Sequence, residues 1–240
     1  MIGLTFDSDH LTDSSLEIFN NNFLAHVPGD TTFFLHRRFN TGFPIGTELC
    51  PHPLLRNLDN ATTSIVESEE FVPTKAYGIR PHSCVYFHLI GIELGHRGYN
   101  WISQATYPNS IDLRPFRHPW GLWELPIYYM DNMDFWMPKN WDLLYHNVFD
   151  SQIIYNAINN PSSLFIFDFH PLHILLNTST HTQYASVKHK ILDDGICPSQ
   201  LTFPGSGTRD FFFALCKLMT SSNQQSYTCS NLLDHFSTKT

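Results

Sequence analysis

Short apolar runs alternate along this chain with segments that carry apolar residues at helical spacing. The first run covers residues 2–6 and the last covers residues 164–169. Runs of this length, bounded by polar residues, are typical of buried strands. The connections between runs are too long for hairpins, and the first places Leu16, Phe19 and Phe23 on one helical face. This alternation predicts βαβ units and therefore an α/β fold with a parallel sheet and right-handed crossovers.

Length and composition indicate one large domain. The chain has 240 residues, of which 42% are hydrophobic and 15% aromatic, which is enough for a sizeable core. We expect a single domain over residues 1–240, with a polar loop at about 178–200 and a helical region at about 208–237. The net charge is -8 and the lysines and arginines are scattered, so the composition argues against nucleic acid as a partner.

Cysteine usage and hydropathy point to a reducing compartment. The five cysteines form no CxxC pair and are odd in number, which argues against a disulfide framework. The N-terminal residues do not resemble a secretory signal, and no stretch approaches the roughly 20 apolar residues of a membrane span. These features predict a cytoplasmic protein without a membrane span.

Two carboxylates and an imidazole follow the first predicted strand directly. Asp7 lies where the strand ends, and Asp9 and His10 lie in the loop after it. Strand ends in α/β folds are where ligand-binding and catalytic groups collect. Two carboxylates this close repel each other, shift a pKa or share a cation, and Zn²⁺ accepts Asp and His ligands together. The same residues are also typical of an Asx turn followed by a helix N-cap.

Histidine and arginine side chains recur at the ends of other apolar runs. His52 stands between two prolines, which restrict the backbone and fix the direction of the side chain. Arg80 and His82 follow another predicted strand, and His170 follows the last one. In a closed barrel all strands end on one rim, so these side chains would converge with the two aspartates. Arg80 is also compatible with a surface charge, and most histidines in proteins are structural.

Further carboxylates lie in and after a strand predicted over residues 120–129. Glu124 stands between apolar neighbours in this strand, and Asp131 and Asp134 follow it. Such carboxylates bind substrate or metal in some proteins and cap turns in others.

The order of these motifs resembles that of the NodB-type polysaccharide deacetylases, carbohydrate esterase family 4. More specifically, it is similar to a divergent branch linked to surface-polysaccharide biosynthesis. The resemblance covers residues 1 to about 178 and is carried by Thr5–His10, Glu48–Pro53, Arg80–Ser83, Glu124–Pro126 and Phe169–Ile174. It implies an α/β fold of the distorted (β/α) barrel type, with seven strands and one divalent metal at the rim.

The resemblance also implies catalytic roles for individual residues. Asp7 matches the family's catalytic base and Asp9 its metal-binding aspartate, although Ser8 separates the two. Arg80 matches the arginine that orients the base, and His170 matches the catalytic acid.

For the metal, most simply Zn²⁺, the resemblance implies Asp9 and His52 as ligands. Arg56 stands where the family has its second histidine, so His82 or His10 would complete the site. Substrate-binding roles are implied for His10, Glu124 and His173.

The function implied is a metal-dependent hydrolase that removes an N-acyl group, typically acetyl, from an amino sugar or a polysaccharide precursor. Trp120, Trp123 and Trp136 would stack on a sugar ring or pack in the core. Two alternatives remain open at this point. One is a different metal-dependent hydrolase of non-peptide C–N bonds, and the other is a catalytically inactive relative that binds glycan, which the arginine at position 56 favours.

Overall fold

The computed structural model describes residues 1–108, 110–136 and 148–238. The strands are β1 (Ile2–Asp7), β2 (Thr31–Leu35), β3 (Thr47–Pro51), β4 (Gly78–Ile79), β5 (Trp101–Ile102), β6 (Phe116–Arg117), β7 (Trp123–Glu124), β8 (Ile127–Met130) and β9 (Phe165–Phe169). The helices are α1 (Asp13–Asn22), α2 (Leu58–Glu69), α3 (His88–Arg97), α4 (Asp131–Trp136), α5 (Ser151–Asn159), α6 (Pro171–Leu176), α7 (His181–Leu192), α8 (Thr208–Ser221) and α9 (Cys229–Ser237). Among the helices in these ranges, none combines the length and the apolar character that crossing a membrane requires.

The larger sheet has five parallel strands in the order β3-β2-β1-β9-β8. This confirms the predicted α/β fold with a parallel sheet. Strand β1 lies at the centre, with Asp7 opposite Phe34 of β2 and Thr5 opposite Asp168 of β9. Because the strands are parallel, all five carboxyl ends lie at the same edge of the sheet.

The smaller sheet has the order β4-β5-β7-β6, in which only β6 is antiparallel to its neighbour. Gly78 of β4 is required by its neighbour, since a Cβ atom there would lie 1.9 Å from the Trp101 ring. Backbone hydrogen bonds join the two sheets on both sides. The Arg80 N–H donates to the Pro51 carbonyl at 3.2 Å, and the Ile127 N–H donates to the Ala105 carbonyl at 2.8 Å.

Aromatic side chains fill the space between the larger sheet and its helices. The Phe6 ring of β1 lies 4.8 Å from Phe33 of β2, 5.2 Å from Phe19 of α1 and 6.1 Å from Phe212 of α8. All four side chains are fully buried. Burial of one such side chain contributes roughly 2–3 kcal/mol, so this cluster fixes the strand that leads to Asp7.

Helix α2 occupies most of residues 60–70, where the polar sequence is typical of a loop or a capped connection. The helix begins with a capping box in which Asn57 and Asn60 each bond the other's backbone N–H. Its apolar residues Ala61 and Ile65 are buried in a cluster with the α3 residue Leu94. Hydrogen bonds from Arg97 and Tyr99 to Glu69, at the end of the helix, add to this apolar contact.

The polar stretch at about 178–200, where we expect a loop with a short helix, contains α7 over His181–Leu192. The twelve-residue helix α7 begins after an N-cap at Thr180 and buries Tyr184, Val187 and Ile191 on one face. These spaced apolar residues pack against Leu172 and other residues of α6.

In residues 208–237, where a helical region is predicted, the structure has α8 and α9. The single strand predicted over 120–129 is divided into β7 and β8, which lie in different sheets.

Candidate active site

Polar side chains from both sheets meet at the carboxyl ends of the strands. Asp9 follows β1, His52 follows β3, His82 follows β4 and His170 follows β9. Asp9 lies at the centre of this group. Its Oδ1 is 3.0 Å from His82 Nδ1, and its Oδ2 is 3.6 Å from His52 Nε2 and 3.5 Å from His170 Nε2. Burial acts to raise the Asp9 pKa, but the neighbouring imidazoles hold the pKa well below its usual range.

Asp9, His52 and His82 form a group that suits a metal ion. One ligand atom from each lies within 4.8 Å of the others. His52 Nδ1 is 2.8 Å from the Arg80 carbonyl oxygen, so this nitrogen carries a proton and Nε2 faces Asp9 as the atom available to a metal. Within the described residues, that buried Nε2 has no hydrogen-bond partner. A buried, unpartnered nitrogen lone pair beside a carboxylate is the arrangement expected of a zinc ligand.

Arg80 is fully buried and contacts the carboxylate of Asp7. Its Nη1 donates to Asp7 Oδ1 at 2.9 Å. The other donors are held by Ser103, whose carbonyl accepts from Nε at 3.1 Å and whose Oγ accepts from Nη2 at 2.9 Å. Burial acts to raise the Asp7 pKa, but His52 and Arg80 together keep the pKa below its usual value. Asp7 is therefore an ionised carboxylate with a fixed orientation.

Asp168 belongs to the same buried network and was missed in the sequence. Its Oδ1 accepts a hydrogen bond from Thr5 Oγ1 at 2.9 Å and another from Arg80 Nη1. Burial raises the Asp168 pKa to about 7, with Arg80 opposing and Asp7 adding to the increase. The available signal was a carboxylate inside a strand that is otherwise apolar, two residues before His170 and thus on the same face of β9.

His170 is held in place by Asp131. The distance from His170 Nδ1 to Asp131 Oδ1 is 2.7 Å, and the His170 backbone N–H donates to Asp131 Oδ2 at 2.9 Å. Burial acts to lower the His170 pKa, but the Asp131 carboxylate outweighs it and raises the pKa well above its ordinary value. The imidazole is therefore protonated, with its Nε2–H directed towards Asp9.

A cleft of about 270 Å³ opens beside this group. Its lining includes Asp9, His10, His36, His52, Phe71 and His82. His36 follows β2 and was not singled out in the sequence; its Nδ1 lies 3.2 Å from the hydroxyl of Ser8. Burial lowers the His36 pKa to about 4, so this cleft histidine is neutral.

Comparison with known proteins identifies the family. A family model described as WbmS-like polysaccharide deacetylase matches residues 4–188. The chain belongs to this family. The family resemblance inferred from the motifs is thereby confirmed, and so is the expectation of a deacetylase-type hydrolase.

Two solved structures have the same fold. A Bordetella bronchiseptica protein, described as a polysaccharide deacetylase involved in O-antigen biosynthesis, is 21% identical with a TM-score of 0.70, covering 90% of each chain. A Mycobacterium smegmatis protein, described as a polysaccharide deacetylase, is 14% identical with a TM-score of 0.51, covering 99% of this chain and 90% of that one. No curated protein matches the sequence.

The family's second motif differs here at Arg56. The Arg56 side chain is exposed and has no place in the group around Asp9. His82, which follows a different strand, lies with its Nδ1 3.0 Å from Asp9 Oδ1. Its side chain is about one-third exposed, so it borders the cleft.

His173 is predicted from the resemblance to contact substrate, but its side chain lies inside the protein. His173 is only 4% exposed, and its ring packs edge-on against Phe135 at 5.0 Å and Tyr184 at 4.9 Å. It lies behind His170, with ring centroids 5.3 Å apart. Burial lowers the His173 pKa to about 4, so the imidazole is a neutral packing residue.

Glu124, for which a substrate-binding role was predicted, also lies away from the lining of the cleft beside Asp9. Glu124 is fully buried, and its Oε1 accepts from the backbone N–H groups of Gln104 and Ala105 at 2.8 and 2.9 Å. Its Oε2 lies 3.1 Å from both Gln104 Nε2 and His118 Nε2. All of its hydrogen-bonding capacity is used to hold the loop after β5.

Two of the tryptophans considered for stacking on a sugar ring contact other side chains of the protein. The Trp120 ring stacks on His118 with centroids 4.9 Å apart and planes inclined by 11°. Arg117 lies over the Trp123 ring at 5.8 Å. The side chain of Trp136 lies outside the described part of the chain.

Proposed function

We propose that this protein is a metal-dependent deacetylase that removes an acetyl group from the nitrogen of an amino sugar in a polysaccharide or its precursor. The family assignment supports deacetylation of polysaccharide. The observation that carries the metal-dependent mechanism is the position of Asp9, whose carboxylate faces the nitrogens of three histidines at the ends of three strands.

Asp9, His52 and His82 would hold the metal, for which Zn²⁺ fits best. One carboxylate and two imidazoles form a set of three protein ligands that leaves a position open, as in catalytic zinc sites. When bound, the ion supplies polarisation of the substrate carbonyl and lowers the pKa of a water molecule. The unpartnered His52 Nε2 supports this assignment.

Asp7 acts as the general base in this proposal. Its carboxylate is ionised and Arg80 fixes its orientation through Nη1 at 2.9 Å. It lies two residues from Asp9 and 3.6 Å from His52 Nε2, so it faces the same space. Asp7 takes the proton of the water that attacks the amide carbonyl.

His170 acts as the general acid. Its Nε2–H faces Asp9, on the side of the site opposite to its contact with Asp131. When the C–N bond breaks, this proton passes to the leaving nitrogen, so the products are acetate and a free amine. The fixed tautomer and the raised pKa of His170 suit this role.

The cleft beside Asp9 takes the sugar ring. Its volume of about 270 Å³ is at the lower end of ligand-sized pockets and fits one sugar unit at a time. His10 borders the cleft and is the proposed substrate contact.

The Bordetella bronchiseptica protein is described as acting in O-antigen biosynthesis, which favours a surface polysaccharide precursor as the substrate class. The odd number of cysteines supports a cytoplasmic location.

We also infer that seven strands form a distorted barrel around the site. Their order would be β8, β9, β1, β2, β3, β4 and β5. The backbone bond between Arg80 and Pro51 supports the junction of β3 and β4, and the bond between Ile127 and Ala105 supports the junction of β8 with the segment after β5. Strands β6 and β7 would then be an additional ribbon beside the barrel.

Acetate release from N-acetylated amino sugars tests the function. With Zn²⁺ supplied, the wild-type protein is expected to release acetate, and Asp7→Asn and His170→Asn should each reduce kcat by about 10²–10⁴-fold. Arg56→Ala is the matched control, since this exposed residue lies outside the site. Formate released from formylated substrates in place of acetate would identify a different amide hydrolase. Glycan binding without turnover by the metal-loaded protein would contradict the proposal.

A further inference from the structure

The Asp168 carboxylate lies inside the protein on the face of β9 that bears His170. Side chains two residues apart along a strand share a face, so Asp168 and His170 are on one side of β9 and Thr5 and Asp7 on one side of β1. The register places Thr5 directly opposite Asp168. The topology therefore places Asp168 beside Thr5 and on the same side of the sheet as Asp7.

A single nitrogen of Arg80 serves both carboxylates. Arg80 Nη1 donates to Asp7 Oδ1 at 2.9 Å and also to Asp168 Oδ1. Thr5 Oγ1 is 3.0 Å from the same Nη1 and donates to Asp168 Oδ1 at 2.9 Å. The position of Nη1 is thus set by Asp168 on one side and by Asp7 on the other.

Stability alone is a poor explanation for Asp168. Its Oδ2 is buried and, among the described residues, has no hydrogen-bond partner. A buried carboxylate oxygen without a hydrogen-bond partner loses hydration without full compensation, and a buried ion pair contributes little to stability compared with apolar residues in place of both partners. Burial raises the Asp168 pKa to about 7, which agrees with an incompletely satisfied group.

We propose that Asp168 is a positioning residue that shares the Arg80 guanidinium with Asp7 and thereby fixes the orientation of the Asp7 carboxylate. This inference rests on the proposed function in that Asp7 acts as the base. Asp168 does not face the cleft and acts only through Arg80. Replacing its carboxylate leaves Nη1 with Asp7 and Thr5 as acceptors, while Ser103 still holds Nε and Nη2. Nη1 can then shift relative to the Asp7 carboxylate.

A kinetic double-mutant cycle tests this role. Asp168→Asn is expected to reduce kcat by about 10–100-fold with KM within about two-fold, the range typical when a partner of a functional side chain is removed. In an Arg80→Lys background, which keeps a buried positive charge without the forked geometry, Asp168→Asn should reduce kcat by less than about two-fold further. Equal losses in both backgrounds would overturn the proposal.

Two measurements that do not depend on turnover accompany the cycle. Zinc content should be unchanged in Asp168→Asn, because Asp168 is not a ligand. In NMR spectra of ¹⁵N-arginine-labelled protein, the Arg80 Nη–H signals should be separately resolved in the wild type and should broaden or merge in Asp168→Asn, because Nη1 loses one of its acceptors. Signals that stay resolved would overturn the proposal.

Glu48→Gln is the matched control. Glu48 is a strand carboxylate near the amino end of β3 that accepts a hydrogen bond from Thr32 Oγ1 at 3.0 Å, and among the described residues it forms no hydrogen bond with Arg80. Its loss should lower stability and leave kcat and the Arg80 signals unchanged. A wild-type protein that releases acetate from none of the acetylated sugars would contradict the proposed function alone, and the Arg80 signals would still decide the role of Asp168.

Discussion

His170 and Asp131 form a buried pair in which the His170 Nδ1–H donates to Asp131 Oδ1 at 2.7 Å. The opposite ring nitrogen lies 3.5 Å from Asp9 Oδ2. The carboxylate thus fixes the tautomer and directs the second N–H into the site. Asp131 opens α4 directly after β8, so the pair joins two neighbouring strands of the larger sheet at their carboxyl ends.

Asp131→Asn is expected to reduce kcat by about 10²-fold or more, because an amide holds the wrong tautomer of His170 or none. The Asn side chain keeps the size of the site, so KM should change little. Steady-state kinetics on an acetylated amino sugar measure both values. A variant with wild-type kcat would show that the pair is not used in the reaction.

His173 should make the folded state less stable as the pH falls. Its pKa is lowered to about 4 by burial, whereas the ordinary value is 6.5, so the unfolded chain takes up the proton first. The stability contributed by neutral His173 is complete above pH 6.5 and is lost as the pH falls towards 4. Linkage gives a loss of about 2 kcal/mol between pH 7 and pH 5 from this residue.

The corresponding variant is His173→Phe, which keeps an aromatic ring against Phe135 and Tyr184 and does not titrate. Urea unfolding at pH 7 and pH 5 should show a smaller difference in free energy for the variant than for the wild type, by about 2 kcal/mol. The same difference in both proteins would mean that His173 is not buried as described.

Glu124→Gln should affect stability and leave substrate binding unchanged. The carboxylate accepts from Gln104 Nε2 and lies 3.1 Å from His118 Nε2, and an amide nitrogen in its place cannot accept both bonds. We expect a loss of about 1–3 kcal/mol in the free energy of unfolding, with KM within two-fold of wild type. A large rise in KM at unchanged stability would restore the substrate-binding role that the sequence suggested.

Replacement of His82 should weaken zinc binding, whereas replacement of Arg56 should not. His82 lies 3.0 Å from Asp9 Oδ1, whereas Arg56 is exposed. His82→Ala should weaken zinc binding by about 10–100-fold or more, and Arg56→Ala should leave it unchanged. Isothermal titration of metal-free protein with Zn²⁺ compares the two. Equal zinc affinity in His82→Ala would show that the third ligand lies elsewhere.

The fold class could be predicted from the sequence because the apolar strands are nearly continuous. Strands such as Phe165–Phe169 are buried on both faces in a parallel sheet, and that burial produces runs that periodicity detects directly. Helix α2 was missed because only Ala61 and Ile65 mark its buried face among polar residues. The two-residue strands of the smaller sheet are too short for any periodic signal.

Most of the candidate site could be predicted from the sequence for a similar reason, because Asp9, His52 and His170 each follow an apolar strand. The buried positions of Glu124 and His173 could not be predicted, because a polar residue among apolar neighbours looks the same in sequence whether it faces a cleft or contacts other protein groups. Asp168 was missed because its role depends on Arg80, which is 88 positions away along the chain. Pairings over such distances follow from strand order, which the sequence does not encode locally.

The most direct test of the central claim is the metal content of the purified protein, measured by elemental analysis alongside Asp9→Ala and His52→Ala. Arg56→Ala serves as the control. We predict close to one zinc ion, or another divalent ion, per chain in the wild type and the control, and its loss in both ligand variants. A wild-type protein that holds no metal as purified, and takes up none on titration with Zn²⁺, would contradict the metal-dependent mechanism.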